Sequence, residues 1–208
     1  MKNLILLIIA STILASCGGG AGNSTTAGNS GAATKPASGG SAIDVKIKDK
    51  TDKLEPKSAF VFSDDWTINM PDGRAVPTST RQFVIANYDL DTTYGKSSAM
   101  NKVTTPGQIR LVIQLQDRAD VKKDMPVTVG DYVGKTEEFF KISNVMVYTF
   151  ADGSETKTLI SGSNSDNKGS VKITNVSGDT VTGEIDFSNT DNSFKGSFTA
   201  KAWKPAQK

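Results

Sequence analysis

The chain has 208 residues, with 24 lysine and arginine side chains against 22 aspartate and glutamate side chains, no histidine and a single cysteine. The lack of histidine excludes Ser-His-Asp and Cys-His nucleophilic schemes and imidazole metal sites, and it removes the commonest general base. The nearly balanced charge, without a basic stripe, argues against nucleic-acid binding and against electrostatic docking to anionic lipid.

The beginning of the chain has the layout of a secretory signal. Residues 1–3 form a short polar start that carries Lys2, and residues 4–14 form an almost wholly apolar run. A membrane-spanning helix needs about 20 apolar residues, and this run is about half as long before two small residues end it. The segment therefore predicts export of the chain and not a permanent membrane span.

The cysteine directly follows this segment, in the sequence Leu14-Ala15-Ser16-Cys17. This tetrapeptide resembles the lipobox of bacterial lipoproteins, in which a branched apolar residue and two small residues precede an invariant cysteine. The resemblance implies that the signal peptide, residues 1–16, is removed and that Cys17 carries a diacylglyceryl group on its sulfur. An ordinary buried cysteine behind a conventionally cleaved signal is the alternative, but small secreted proteins usually carry cysteines in pairs.

The resemblance also implies where the protein resides. In lipoproteins of enteric bacteria, an aspartate after the cysteine often retains the protein at the inner membrane, and Gly18 at this position favours the outer membrane. Each buried methylene of an acyl chain contributes about 0.8 kcal/mol, so two or three chains such as palmitate anchor a protein stably where one chain does so only marginally. We therefore expect an exported protein held in the bacterial cell envelope by the lipid on Cys17.

A segment rich in glycine, serine, threonine and alanine follows the cysteine, so that residues 17–42 form a separate region. Without large apolar side chains, it buries too little surface to offset the entropy of ordering it, which predicts a disordered tether. A flexible coil of about 25 residues spans about 25–30 Å on average. We interpret the tether as a spacer, and a segment that crosses peptidoglycan or reaches a partner is the alternative.

The amino-acid composition changes at Ile43, and residues 43–208 are predicted to form a single folded domain. Short stretches rich in Val, Ile, Thr, Phe and Tyr alternate with Gly, Asp, Asn, Ser and Pro, which is typical of strands and turns. No long stretch has the helical period. The predicted strands, in chain order, are Ala59 to Phe62, Trp66 to Met70, Gln82 to Tyr88, Ile109 to Gln116, Val145 to Phe150, Glu155 to Ile160, Val171 to Ile173, Val181 to Phe187 and Phe194 to Ala202.

Three turns connect neighbouring strands in this scheme, at Pro71-Asp72-Gly73, Asp152-Gly153 and Ser177-Gly178-Asp179. Strands spaced in this way, without helices for crossovers, predict an all-β domain. We favour an antiparallel β-sandwich over the alternative, a closed β-barrel of the lipocalin-like kind. The preference depends on two long polar connections, Asp89 to Thr105 and Asp117 to Met125, which are more typical of a sandwich.

Carboxylates are the remaining candidates for catalysis. Asp64 and Asp65 are adjacent, so on a strand they would point to opposite faces, and we interpret them as a turn before Trp66. The same objection applies to Glu137 and Glu138. Distant carboxylates could converge as in glycosidases, but no pattern selects them.

Residues Asn164 to Gly169 faintly resemble the start of a calcium-binding EF-hand loop. The pattern fails at Lys168, where an oxygen ligand is required, and no glutamate stands at the twelfth position. We interpret the segment as a solvated turn and expect neither a metal nor a cofactor.

Aromatic side chains are the candidates for a sugar-binding or peptide-binding face. Core packing is the alternative for the two that lie in apolar strands, Trp66 and Tyr148, whereas Trp203 is equally compatible with exposure or with contact to a second sheet. The six candidates are Trp66, Tyr88, Tyr94, Tyr132, Tyr148 and Trp203.

The sequence thus predicts a lipid-anchored envelope protein that carries one all-β domain, and we expect a non-catalytic binding or interaction module with an unidentified protein or glycan partner. A structural envelope component without a small ligand and a hydrolase with convergent carboxylates are the alternatives.

Overall fold

The computed structural model describes residues 41–91, 93, 101–134 and 138–204. These residues form eleven β-strands and no α-helix, which confirms the all-β prediction. The signal peptide, Cys17, nearly all of the tether, Tyr94 and Glu137 lie outside the described residues. In the described part of the chain, no helix is long and apolar enough to cross a membrane.

The strands are long and follow one another with short turns in the last third of the chain. Their bounds are Ile43–Ile47 (β1), Lys50–Leu54 (β2), Ser58–Asn69 (β3), Ala75–Ala86 (β4), Ile109–Gln116 (β5), Gly130–Val133 (β6), Lys141–Ala151 (β7), Ser154–Ser161 (β8), Lys168–Ser177 (β9), Thr180–Ser188 (β10) and Asn192–Ala202 (β11).

Eight of these strands close into a barrel, in the ring order β3, β4, β5, β7, β6, β9, β10, β11 and back to β3. Six neighbouring pairs are antiparallel, and β11–β3 and β6–β7 are parallel. The hairpin of β1 and β2 continues the sheet beside β11, and β8 lies beside β7. The architecture is therefore a closed barrel, the alternative to the sandwich in the sequence analysis.

The preference for a sandwich is wrong, because two short parallel pairings close the strands into one ring. Lys201 and Ala202 of β11 pair with β3, and Val133 of β6 pairs with β7. The long polar connections favoured a sandwich in the sequence analysis. In their described parts they pack against the barrel, because Asn101 and Asp117 within them are buried. Length and polarity alone do not distinguish a loop that joins two sheets from one that covers the end of a barrel.

Three strands escaped the sequence prediction, and one predicted turn is absent. Charged residues in β1 and β2 concealed the inward alternation of Ile43, Val45 and Leu54, which are buried. β6 has four residues and one buried aromatic side chain, Tyr132. Asp64 and Asp65 lie in the middle of β3, whose pairing with β4 is continuous, so they do not form a turn.

The predicted turns are confirmed where their residues need unusual backbone angles. Asp152 and Gly153 have φ values of 51° and 77° between β7 and β8, as a two-residue hairpin turn of type I′ requires. Gly73 and Gly178 also have positive φ, in the turns after β3 and β9. The meander of β9, β10 and β11 follows the predicted order.

One apolar core fills the barrel interior, and a smaller apolar cluster lies outside it. The core takes every second residue of the ring strands, including Phe83, Leu111 and Phe198. The outer cluster, built on Phe62, Val84 and Val112, covers the opposite face of β3, β4 and β5. The apolar side chains on both faces of β7 thus reflect a strand that contributes to both clusters.

Candidate functional site

Beyond the outer cluster, the same face of the sheet becomes polar. Register places one row of side chains side by side across four strands, and these are Gln82 on β4, Gln114 on β5, Asn144 on β7 and Ser161 on β8. A second row, next to the first, consists of Asp64 on β3, Thr80 on β4, Gln116 on β5 and Lys141 on β7. We call these two rows the polar ladder.

The polar ladder, except for Gln82 and Ser161, forms the floor of a groove with a volume of about 960 Å³. Trp66 and Asn69 of β3 line one side, and Glu138 and Ser163 line the other. β5 pairs with β4 only as far as Gln116, so β3 and β4 extend beyond β5. The projecting β3–β4 hairpin forms one side of the groove. A groove of this size is within the range of ligand sites in proteins.

Trp66 is the largest apolar side chain exposed at this groove, with 57% of its surface accessible to solvent. It lies on the outer face of β3, two residues beyond Asp64 of the ladder, and Thr78 is its partner on β4. Core packing, the alternative interpretation of Trp66, is therefore wrong. An indole ring exposed beside polar groups is suited to contact a ligand.

The amides of the ladder are partly committed to one another. Asn144 Nδ2 donates to Gln114 Oε1 at 3.0 Å, and Gln116 Nε2 donates to Thr78 Oγ1 at 3.0 Å. A side-chain amide carries two N–H donors and an acceptor oxygen, so the Asn144–Gln114 bond fixes both groups and uses only part of their capacity. Gln116 also donates to Ser79 O at 3.2 Å and is 3% exposed, so both of its donors are engaged within the protein. The ladder thus presents an ordered row of donors and acceptors.

The charges that line the groove are mainly negative. The lining contains three carboxylates, on Asp64, Asp65 and Glu138, and one ammonium group, on Lys141. The Lys141 Nζ lies 3.6 Å from Glu138 Oε2. The backbone N–H of Lys123 donates to Asp65 Oδ1 at 2.8 Å, and this bond together with the Lys123 charge lowers the pKa of Asp65. Asp65 therefore stays ionised at neutral pH.

A buried charged network closes the end of the barrel near the groove. Arg81 and Asp117 are 1% and 0% exposed, and Arg81 Nε donates to Asp117 Oδ2 at 3.0 Å. Arg81 also donates to Ser63 Oγ and to the backbone carbonyl oxygens of Lys122 and Lys123. The guanidinium group therefore ties the connection after β5 across the barrel mouth.

Tyr132 completes this network from β6. Its hydroxyl donates to Thr128 O at 2.9 Å and lies 3.2 Å from Asp117 Oδ1. Burial raises the pKa of Tyr132 far above its usual value, and the adjacent carboxylate of Asp117 raises it further. The tyrosine thus remains a neutral hydrogen-bond donor, and the network has no access from the groove through which it could act on a substrate.

A second charged cluster fixes the connection before β5. Arg110 lies 4.0 Å above the ring centroid of Tyr148, and its Nη2 donates to Glu155 Oε2 at 3.2 Å. Arg110 Nη1 also donates to Asn101 O, which accepts a further hydrogen bond from the Tyr88 hydroxyl. The cluster therefore fixes Asn101 of this connection beside Tyr148, which packs on the outer apolar cluster.

The remaining aromatic candidates do not converge on the groove. Tyr88 and Tyr148 contribute to the Arg110 cluster, Tyr132 is buried, and Trp203 packs on Phe62 with ring centroids 5.5 Å apart. Trp203 thus covers the outer apolar cluster. Of the described candidates, Trp66 alone lines the groove.

The acidic segment after β8 makes turn contacts. Asp166 Oδ2 accepts hydrogen bonds from the backbone N–H and the hydroxyl of Thr190, and these bonds lower the pKa of Asp166. Asn167 Nδ2 donates to the carbonyl oxygens of Ser161 and Gly162. In the described ranges, no three metal-ligating side chains lie close enough together to hold an ion.

Comparison with known proteins gives no relative for this arrangement. No protein-family model, curated protein or solved structure matches the chain. The chemistry of the residues that line the groove is therefore the basis for its proposed function.

Sequence reasoning missed the amides of the ladder. Gln114 and Gln116 alternate with apolar residues on β5, and glutamine at two successive outward positions is the only local signal. Asn144 and Thr80 carry no such signal, because each becomes part of the site only through pairing with a distant strand.

Proposed function

We propose that this chain is a lipid-anchored protein of the bacterial cell envelope whose barrel is a non-catalytic binding module. The anchor is the lipid on Cys17, inferred from the resemblance of Leu14-Ala15-Ser16-Cys17 to a lipobox. The binding site is the groove over the polar ladder. The observation that carries this proposal is the exposed ring of Trp66 beside an ordered row of amides.

The carboxylates support binding over catalysis. Asp117 is buried and neutralised by Arg81, whereas Asp65 and Glu138 at the groove each lie against a lysine. Asp64 and Asp65 are neighbours on an extended strand, so their side chains leave it on opposite faces. Asp64 and Asp65 therefore do not act as an acid and a base on one substrate atom.

The protein's behaviour in cells tests the proposal. We expect p-benzoylphenylalanine in place of Asn69, a residue of the groove, to link the full-length protein to a partner molecule when intact cells are irradiated, and we expect the adduct to decrease strongly when Trp66→Ala is added. Leu159→Ala is the matched control, because Leu159 is 55% exposed but lies on β8 outside the groove. Adducts that are equally abundant in the wild type and both variants would contradict a binding role for the groove.

A further inference from the structure

We propose that the ligand of this groove is an uncharged glycan, an inference that rests on the proposed binding function and gives it a ligand class. The floor of the groove offers the amides of Gln114 and Asn144 and the hydroxyl of Thr80, and the amide of Gln116 below them is buried. Sugar hydroxyl groups both donate and accept hydrogen bonds, and side-chain amides do the same. A row of such groups matches a polyhydroxylated chain better than it matches an apolar ligand.

Trp66 supplies the apolar half of this recognition. A pyranose ring has hydroxyl groups at its rim and C–H groups on its faces, and an indole ring packs well against such an apolar face. Because Trp66 lies at the end of the ladder and is 57% exposed, a sugar ring can lie on it while neighbouring rings reach the amides. The indole and the amides are thus arranged for consecutive residues of one chain.

Charge decides against an acidic glycan. Lys141 at the groove already pairs with Glu138. Lys123 pairs with Asp65 in the same way, so an acidic ligand would have to displace a carboxylate from either lysine. A uronate, phosphate or sulfate on the ligand would meet carboxylates with like charge, which disfavours its binding. An uncharged glycan avoids this repulsion and retains all the hydrogen bonds.

The dimensions of the ladder fit a short run of sugar residues. The second row crosses from β3 to β7 over three strand spacings, which correspond to about 14 Å. The groove continues past β7 to Ser163. A chain laid across the strands would therefore contact several side chains at once, and we expect affinity to increase with chain length.

Titration of the full-length lipidated protein in detergent tests the ligand class. The probes are three neutral hexasaccharides, chitohexaose, cellohexaose and maltohexaose, with hexagalacturonate as the acidic comparator. We expect at least one neutral probe to bind by calorimetry and hexagalacturonate not to bind at the same concentration. In a Trp203→Phe background the remaining tryptophan is Trp66, so its emission should shift to shorter wavelength on binding.

Variants assign the binding to the groove. Trp66→Ala and Gln114→Met should each weaken binding by about tenfold or more, because each removes a central contact and preserves the strand. Leu159→Ala should bind like the wild type. Failure of all three neutral probes, equal binding of hexagalacturonate or unchanged affinity in both groove variants would overturn the glycan proposal. If a Trp66-dependent protein adduct still forms in cells, the binding module stands and only the ligand class is wrong.

Discussion

Replacing Arg81 with methionine is expected to lower the free energy of unfolding by about 3–5 kcal/mol, because it leaves the carboxylate of Asp117 buried without its cation. The guanidinium also satisfies the carbonyl oxygens of Lys122 and Lys123, which would lose a donor. Urea denaturation followed by tryptophan fluorescence measures the change. Removal of both charges in Arg81→Met with Asp117→Leu should restore part of the loss, since no unpaired charge then remains.

The matched control is an ion pair of similar length at the surface. Lys195 Nζ lies 2.8 Å from Asp186 Oδ2, but both side chains are more than 70% exposed. Lys195→Met should therefore change the free energy of unfolding far less than Arg81→Met, because solvent screens the exposed pair. A loss in Arg81→Met as small as that in Lys195→Met would show that the barrel mouth is not closed by the Arg81–Asp117 pair.

Replacing Cys17 with serine is expected to move the protein from the detergent phase to the aqueous phase on Triton X-114 partitioning. Serine lacks the sulfur that accepts the diacylglyceryl group. Without the acyl chains of that group, the protein loses about 0.8 kcal/mol of membrane-binding free energy for each buried methylene. The signal peptide should remain uncleaved or be cleaved at another position. Intact-mass spectrometry of the wild type should show the added lipid.

Gly18→Ala is the control for this experiment, because it alters the neighbouring residue and leaves the thiol in place. This variant should stay in the detergent phase with the wild type. Detergent-phase partitioning of Cys17→Ser, or a wild-type mass that corresponds to a bare thiol, would contradict the lipid anchor.

Local pattern predicted those parts of the fold that depend on neighbouring residues. Strict alternation in β5 and β10 marks their inward faces, and Asp152-Gly153 marks a hairpin because both residues accept positive φ. β1 escaped because its three apolar residues alternate with the charged residues Asp44 and Lys46 and so form no continuous apolar run. Alternation remains visible in such strands once the charged positions are read as the outward face.

Closure of the barrel could not be predicted from pattern. It depends on the parallel pairing of Lys201 and Ala202 with β3, and of Val133 with β7, which brings together residues far apart in the chain. Such short contacts carry no hydrophobic signature of their own. The sequence therefore left sandwich and barrel open, and tertiary structure decided between them.

The binding groove depends even more on tertiary structure. Core packing was an alternative for Trp66 because Ile68 and Met70 follow it at alternate positions. The hairpin of β3 and β4 extends past β5, however, and exposes the indole ring. Asn144 and Gln114 become neighbours only when β7 pairs with β5. A polar site assembled from single residues of several strands has no sequence motif.

The most direct test of the binding groove is photo-crosslinking from its rim in intact cells. We expect p-benzoylphenylalanine in place of Asn69, an exposed residue that lines the groove, to form a defined adduct on irradiation. The same probe in place of Val129, which is 53% exposed and lies outside the groove, should form little or none. Equal yields from the two positions, or no adduct from position 69, would contradict the groove as the site where the protein binds its ligand.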